Sequence, residues 1–143
     1  MNYINKRFFV EKTSVNKIAK KFGTPVYVYS LKKIEQNINN FKKSFKSINP
    51  LICFSVKSNC NINILRIIKN QGLGADVVSM GELMIALKAG INPKKIVFSG
   101  VGKTIEELDF AINKRILLIN AESENEIIDD DIPLITKRFK DNN

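Results

Sequence analysis

Apolar runs of strand length alternate with amphipathic stretches along most of this 143-residue chain. The first helical pattern is Lys17 to Phe22. It closes at Gly23 and Pro25, since glycine takes the left-handed turn after a helix and proline cannot extend one. TPVYVYS (24–30) follows and reads as a strand, being rich in β-branched and aromatic residues. Ser30 is placed to cap the next helix, where Leu31, Ile34, Ile38, Phe41 and Phe45 recur at helical spacing.

From Pro50 the units become regular. Strands are expected over 51–58, 74–79, 95–100 and 115–120, and helices over 62–69, 81–88 and 104–112, with Gly72 and Gly90 ending the first two. A further helix starts over 123–128 and is stopped by Asp129-Asp130-Asp131-Ile132-Pro133. The four strands are mostly continuous apolar runs, as in a parallel sheet covered by helices, joined by right-handed crossovers. An open doubly wound sheet and a (β/α)8 barrel both satisfy that rhythm. A barrel takes about 250 residues, so as a barrel this α/β chain is a partial one. It would hold about four βα units preceded by a short helix and strand.

The net charge of +9 raises the question of nucleic acid. Residues 1–46 hold eleven Lys or Arg against two acids, and the remainder is balanced. Those lysines interleave with the apolar positions of two amphipathic helices, as solvated faces do, so no nucleic-acid partner is expected. The abundance of Lys, Asn and Ile also fits an AT-rich coding bias. No apolar run approaches the ~20 residues of a membrane span, and the N-terminus lacks the apolar core of a secretory signal. A cytoplasmic protein without a membrane partner is expected. Cys53 and Cys60 have no metal-type spacing and the chain has no histidine, so no metal site is expected.

Two lysine motifs bear on chemistry. KIVFSGVGKT (95–104) ends like a P-loop, but the first glycine of that pattern would fall at Val97, so the cradle is incomplete. Thr104-Ile105-Glu106-Glu107 fits a capping box instead. The second motif is FSVKSN (54–59). Strand alternation puts Cys53, Ser55 and Lys57 on one face, with Lys57 at the carboxyl end, where parallel α/β folds do their chemistry. Burial there would favour the uncharged, nucleophilic amine of a Schiff-base lysine; a strand-end lysine can also simply reach solvent. Asp76 in GADVVS and Glu82 at the next helix start stand near it in the pattern. Each has a plain structural reading as well, Asp76 as a strand polar residue and Glu82 as part of the capping box Ser79-Met80-Gly81-Glu82.

TPVYVYS, FSVKSN, GADVVSMGEL, AGINPKKIVFSGVGKT and LLINAESENE occur in the order and spacing of the N-terminal part of the bacterial diaminopimelate decarboxylases. These are pyridoxal 5'-phosphate (PLP) decarboxylases of the alanine-racemase fold, and the resemblance covers roughly residues 20–128. It implies that Lys57 holds PLP covalently, with Asp76 and Glu82 as acids near that bond. It also implies an amino-acid substrate, meso-diaminopimelate, released as L-lysine and CO2, and a homodimer. Residues 1–30 would belong with the family's second, β-rich domain, 31–128 with the N-terminal half of the PLP-binding barrel, and 129–143 with a divergent tail. The family's ring-stacking histidine, glycine-rich phosphate loop and partner-donated cysteine have no counterpart here. The expectation is therefore an N-terminal fragment, inactive alone, with two alternatives. One is half of a split enzyme whose barrel a second chain completes. The other is a non-catalytic remnant or a basic binding module using the N-terminal helices.

Overall fold

The computed structural model describes residues 2–4 and 6–123. Apart from Ser123, the helix expected over 123–128 and the tail over 129–143 lie outside the described residues. The chain divides at the Asn49–Pro50 junction into two compact units.

The first unit opens with an antiparallel meander, β1 (Asn2–Ile4), β2 (Arg7–Val10) and β3 (Thr13–Ser14). No turn signature announces it, because its turns place Lys6 (φ 59) and Glu11 (φ 56) rather than glycine at positive φ. Helix α1 (Val15–Phe22) ends at Gly23, whose φ of 80 lets its N–H return to the Ala19 carbonyl. The strand expected over 24–30 is a correction: it joins no sheet among the described residues. Its composition suits a pleated surface, but a strand also needs a neighbour, and here Val26, Tyr27 and Tyr29 remain exposed. Helix α2 (Leu31–Ser44) is capped as expected, the Ser30 hydroxyl accepting from the Lys33 amide at 3.1 Å. Ser30 also donates to Glu11 Oε1 at 2.8 Å, and the Lys32 amide reaches the same oxygen at 3.0 Å. The Lys32 amide first, and the Ser30 hydroxyl second, hold the Glu11 carboxyl below the usual carboxylate range.

The second unit is a parallel sheet of β4 (Cys53–Ser55), β5 (Gly74–Val77), β6 (Ile96–Phe98) and β7 (Leu118–Ile119), in that spatial order. Between them run α3 (Ile62–Asn70), α4 (Met80–Lys88) and α5 (Ile105–Asn113). Strand order follows chain order, so three right-handed crossovers put all three helices on one face. A doubly wound sheet reverses its order part-way and covers both faces; this winding is that of a barrel wall. The two possibilities left open by periodicity are thereby resolved in favour of a partial (β/α)8 barrel.

Burial follows the winding. On the helix side Ala75, Val77, Ile96 and Phe98 are fully buried against Leu65 and Ile68 of α3, Leu83 and Ala86 of α4, and Ala111 and Ile112 of α5. The opposite, inner face carries Cys53, Ser55, Gly74, Asp76, Val97 and Leu118, paired in register across the strands. Gly74 is required there: a Cβ would collide with the Lys95 carbonyl oxygen and lie 2.8 Å from Cys53 Sγ.

Candidate functional site

The carboxyl ends of the four strands gather the residues with chemistry. Lys57 is not on β4 itself. The strand stops at Ser55, and Val56–Ser58 form a 3-10 turn, closed by the Asn59 amide on the Val56 carbonyl at 2.9 Å and by the Ser58 hydroxyl on the Ser55 carbonyl at 2.7 Å. Strand alternation therefore carries only as far as Ser55; Val56, the first residue of the turn, has no exposed surface. Lys57 is exposed rather than buried, and its amine has no hydrogen-bond partner among the described residues.

One strand over, Asp76 lies in register with Ser55. Its Oδ1 accepts from the Ser99 hydroxyl at 2.7 Å, and Ser99 Oγ in turn accepts from Asn120 Nδ2 at 3.0 Å. Ser55 ends β4, Asp76 lies one residue inside the end of β5, and Ser99 and Asn120 each follow the last residue of β6 and β7. Ser55 Oγ is buried and has no hydrogen-bond partner among the described residues, a costly state for a hydroxyl unless a ligand takes it up. Sequence reasoning picked out Asp76 but not Ser55, Ser99 or Asn120. Ser99 and Asn120 share one feature in the sequence, a short polar residue directly after an apolar strand, in F-S-G and I-N-A.

Glu82 stands at the start of α4. Ser79 Oγ accepts from the Glu82 amide at 3.2 Å, the first half of the expected capping box, but the carboxylate goes elsewhere: Glu82 Oε2 accepts from the Val78 amide at 2.9 Å. It thus ties down the loop between β5 and α4. Glu107 does this between neighbouring helices of the second unit. Its Oε2 accepts from the Thr104 amide at 3.1 Å and Thr104 Oγ1 accepts from the Glu107 amide at 3.3 Å, completing the box. Its Oε1 accepts from the Met80 amide at the start of α4 at 2.9 Å. Glu122 Oε1 likewise accepts from the Gly100 amide at 3.0 Å.

The P-loop reading of GVGKT fails on geometry as on sequence. Lys103 Nζ turns back onto the Gly100 carbonyl and the Thr104 hydroxyl is committed to the cap. Burial first, and the negative charge of Asp76 second, push the Cys53 thiol up; Cys60 is exposed. No group of His, Cys, Asp or Glu among the described residues is arranged to hold a metal, and no described helix is long and apolar enough to cross a membrane.

An exposed amine, a carboxylate anchored through one of its oxygens and a buried hydroxyl without a partner, all at one strand-end face, suit a small polar ligand with a carbonyl that an amine can capture. Pyridoxal phosphate is such a ligand.

The comparisons with known proteins agree with that chemistry. The chain is 42% identical over 127 residues to the diaminopimelate decarboxylase of Aquifex aeolicus, covering 89% of this chain and 30% of that protein. It is 49% identical over 106 residues to the diaminopimelate decarboxylase of Helicobacter pylori strain J99, covering 74% of this chain and 26% of that one. The solved structure of the M. jannaschii diaminopimelate decarboxylase in complex with L-lysine superposes with a TM-score of 0.86 at 37% identity, over 96% of this chain and 32% of that one. The chain thus spans about 30% of the length of these relatives. A family described as "Pyridoxal-dependent decarboxylase, pyridoxal binding domain" matches residues 31–131, most of the chain, and to that family of PLP-dependent decarboxylases the chain belongs.

Proposed function

We propose that this chain is the lysine-bearing part of the barrel of a diaminopimelate decarboxylase, which converts meso-2,6-diaminopimelate to L-lysine and CO2 in the cytoplasm. The observation that carries the reading is Lys57, an accessible amine on a tight turn at the carboxyl end of β4, beside the Ser55 hydroxyl and the strand of Asp76. In this reading Lys57 holds PLP, Ser55 donates to it, and Asp76 supplies negative charge beside it. Glu82 keeps the loop after β5 in place through the Val78 amide. PLP, when bound, supplies an electron sink for the pair left behind as a carboxylate departs as CO2. The chain's own residues orient that group. The 3-10 turn limits where the Lys57 stem can start, and the hydrogen bond from Ser99 fixes one oxygen of Asp76.

The polypeptide alone is proposed to be inactive, its catalytic unit requiring further barrel strands and a homodimeric partner. The inner face supports this: Leu118, in register with Val97, is 51% exposed where a complete barrel would bury it. The same observation favours a second reading, in which a separate chain carrying the other barrel strands completes the enzyme. Sequencing the DNA downstream for the other half of the barrel, in any frame, separates the two.

The activity is tested in a chimera. Residues 31–123 of this chain replace the matching segment of the Aquifex aeolicus enzyme, and CO2 release from meso-diaminopimelate is measured. Activity in the chimera that Lys57→Ala abolishes is the expected result; a folded chimera whose activity survives Lys57→Ala would overturn the assignment.

A further inference from the structure

We propose that Ser99, backed by Asn120, is a positioning residue that holds the Asp76 carboxylate for cofactor capture at Lys57. This rests on the functional reading above and adds to it two residues that touch neither Lys57 nor Ser55. The geometry is a relay across three strands. Asn120 follows β7 and its backbone amide bonds the Phe98 carbonyl at 2.8 Å, which extends the β6–β7 ladder by one step and brings Asn120 beside Ser99. The Ser99 amide bonds the Val77 carbonyl at 2.8 Å in the same way, extending the β5–β6 ladder. Both side chains are therefore set by strand pairing rather than by a free loop.

Proton counting gives the relay a direction. A side-chain amide nitrogen only donates, so at 3.0 Å Ser99 Oγ is the acceptor from Asn120. A serine hydroxyl has one proton, and it remains for Asp76 Oδ1 at 2.7 Å. If the Asn120 amide were reversed, its oxygen would claim that proton and Ser99 would turn a lone pair toward the carboxylate. Only the order Asn120 to Ser99 to Asp76 satisfies all three groups. Asp76 is thus fixed through one oxygen, and a carboxylate so fixed keeps one orientation on the face it shares with Ser55. The hydrogen bond accepted by a charged group is the stronger kind, so losing it should matter more than losing an ordinary surface contact.

The test reads capture of PLP by the 143-residue polypeptide, as the fraction of pyridoxyl label on the Lys57 peptide after borohydride reduction across a PLP titration. Ser99→Ala is expected to weaken capture about fivefold, and Ser99→Thr, which keeps the hydroxyl, to restore it. In an Asp76→Ala background Ser99→Ala should change nothing, because its effect passes through that carboxylate. An equal loss in both backgrounds, or no loss when Asp76 is present, overturns the proposal. If the unsubstituted polypeptide captures no PLP at Lys57, the functional reading fails, and the relay is judged on the Asn120 side-chain amide by NMR without cofactor. That signal should move in Ser99→Ala and Asp76→Ala and stay in place in Ser99→Thr. An Asn120 amide indifferent to both substitutions overturns the relay, and if Ser99→Ala does not fold, the Asp76→Ala and Ser99→Thr spectra decide.

Discussion

Replacing Glu107 with alanine removes two acceptors at once. Oε2 caps the exposed Thr104 amide, where water can take over, so its loss costs about 0.5 kcal/mol. Oε1 holds the part-buried Met80 amide at the start of the neighbouring α4, a charge-assisted bond whose loss costs about 1.5 kcal/mol. The first turn of α5 keeps Glu106, which limits any loss of helix-dipole stabilisation. The total is about 2 kcal/mol. Thr104→Ala loses only its own cap on the Glu107 amide, about 1 kcal/mol. In urea unfolding followed by circular dichroism, Glu107→Ala should lower the midpoint by about 1 M or more, roughly twice the effect of Thr104→Ala. The double substitution should cost less than the sum, since the two residues share one box. A Glu107→Ala effect no larger than that of Thr104→Ala would refute the tie between α5 and the start of α4 at Met80 and leave Glu107 an ordinary capping residue.

Other consequences follow from burial and charge. Ile96→Val, at a fully buried helix-side position, should cost about 1 kcal/mol, whereas Met84→Ala, 53% exposed, should stay within about 0.5 kcal/mol; equal effects in urea would contradict the assignment of faces. At mildly alkaline pH a thiol reagent should modify exposed Cys60 before Cys53, whose thiol is pushed up and so holds less thiolate at any given pH. Asp76→Asn should speed Cys53 by removing the second cause of that shift, and an unchanged rate would separate the two residues. The Glu11 carboxyl is held low, so what it contributes is present above the usual glutamate range and lost as pH falls through its folded value. The Lys32 amide resonance should therefore titrate with a midpoint below that of free glutamate and stop titrating in Glu11→Gln; a flat Lys32 signal in the unsubstituted protein would contradict the bond.

Much of the second unit was legible because its signals are local. Apolar runs, the glycine after α3 and the Thr104–Glu107 spacing each act within a few residues, and the strands and the complete capping box lie where those signals put them. What was not legible depends on partners far along the chain. TPVYVYS has the side chains of a strand but no described neighbour to pair with. The meander before α1 turns on Lys6 and Glu11, residues that carry no turn signature. At the site, nothing in FSVKSN announces that Val56 will leave the strand, because the turn is closed by the backbone and by Ser58. The second half of the Ser79–Glu82 box was misread for a similar reason: the Val78 amide competes for the same carboxylate. Ser99 and Asn120 became visible only when strand register brought them together beside Asp76.

Of the nineteen lysines in the chain, Lys57 is the one proposed to hold pyridoxal phosphate. Incubation of the polypeptide with limiting PLP, borohydride reduction and peptide mass spectrometry measures this directly. The pyridoxyl label should concentrate on the peptide containing Lys57, and Lys57→Ala should not pass it to a neighbour. Label spread over the exposed lysines of α1 and α2, with Lys57 no richer than the rest, would contradict it.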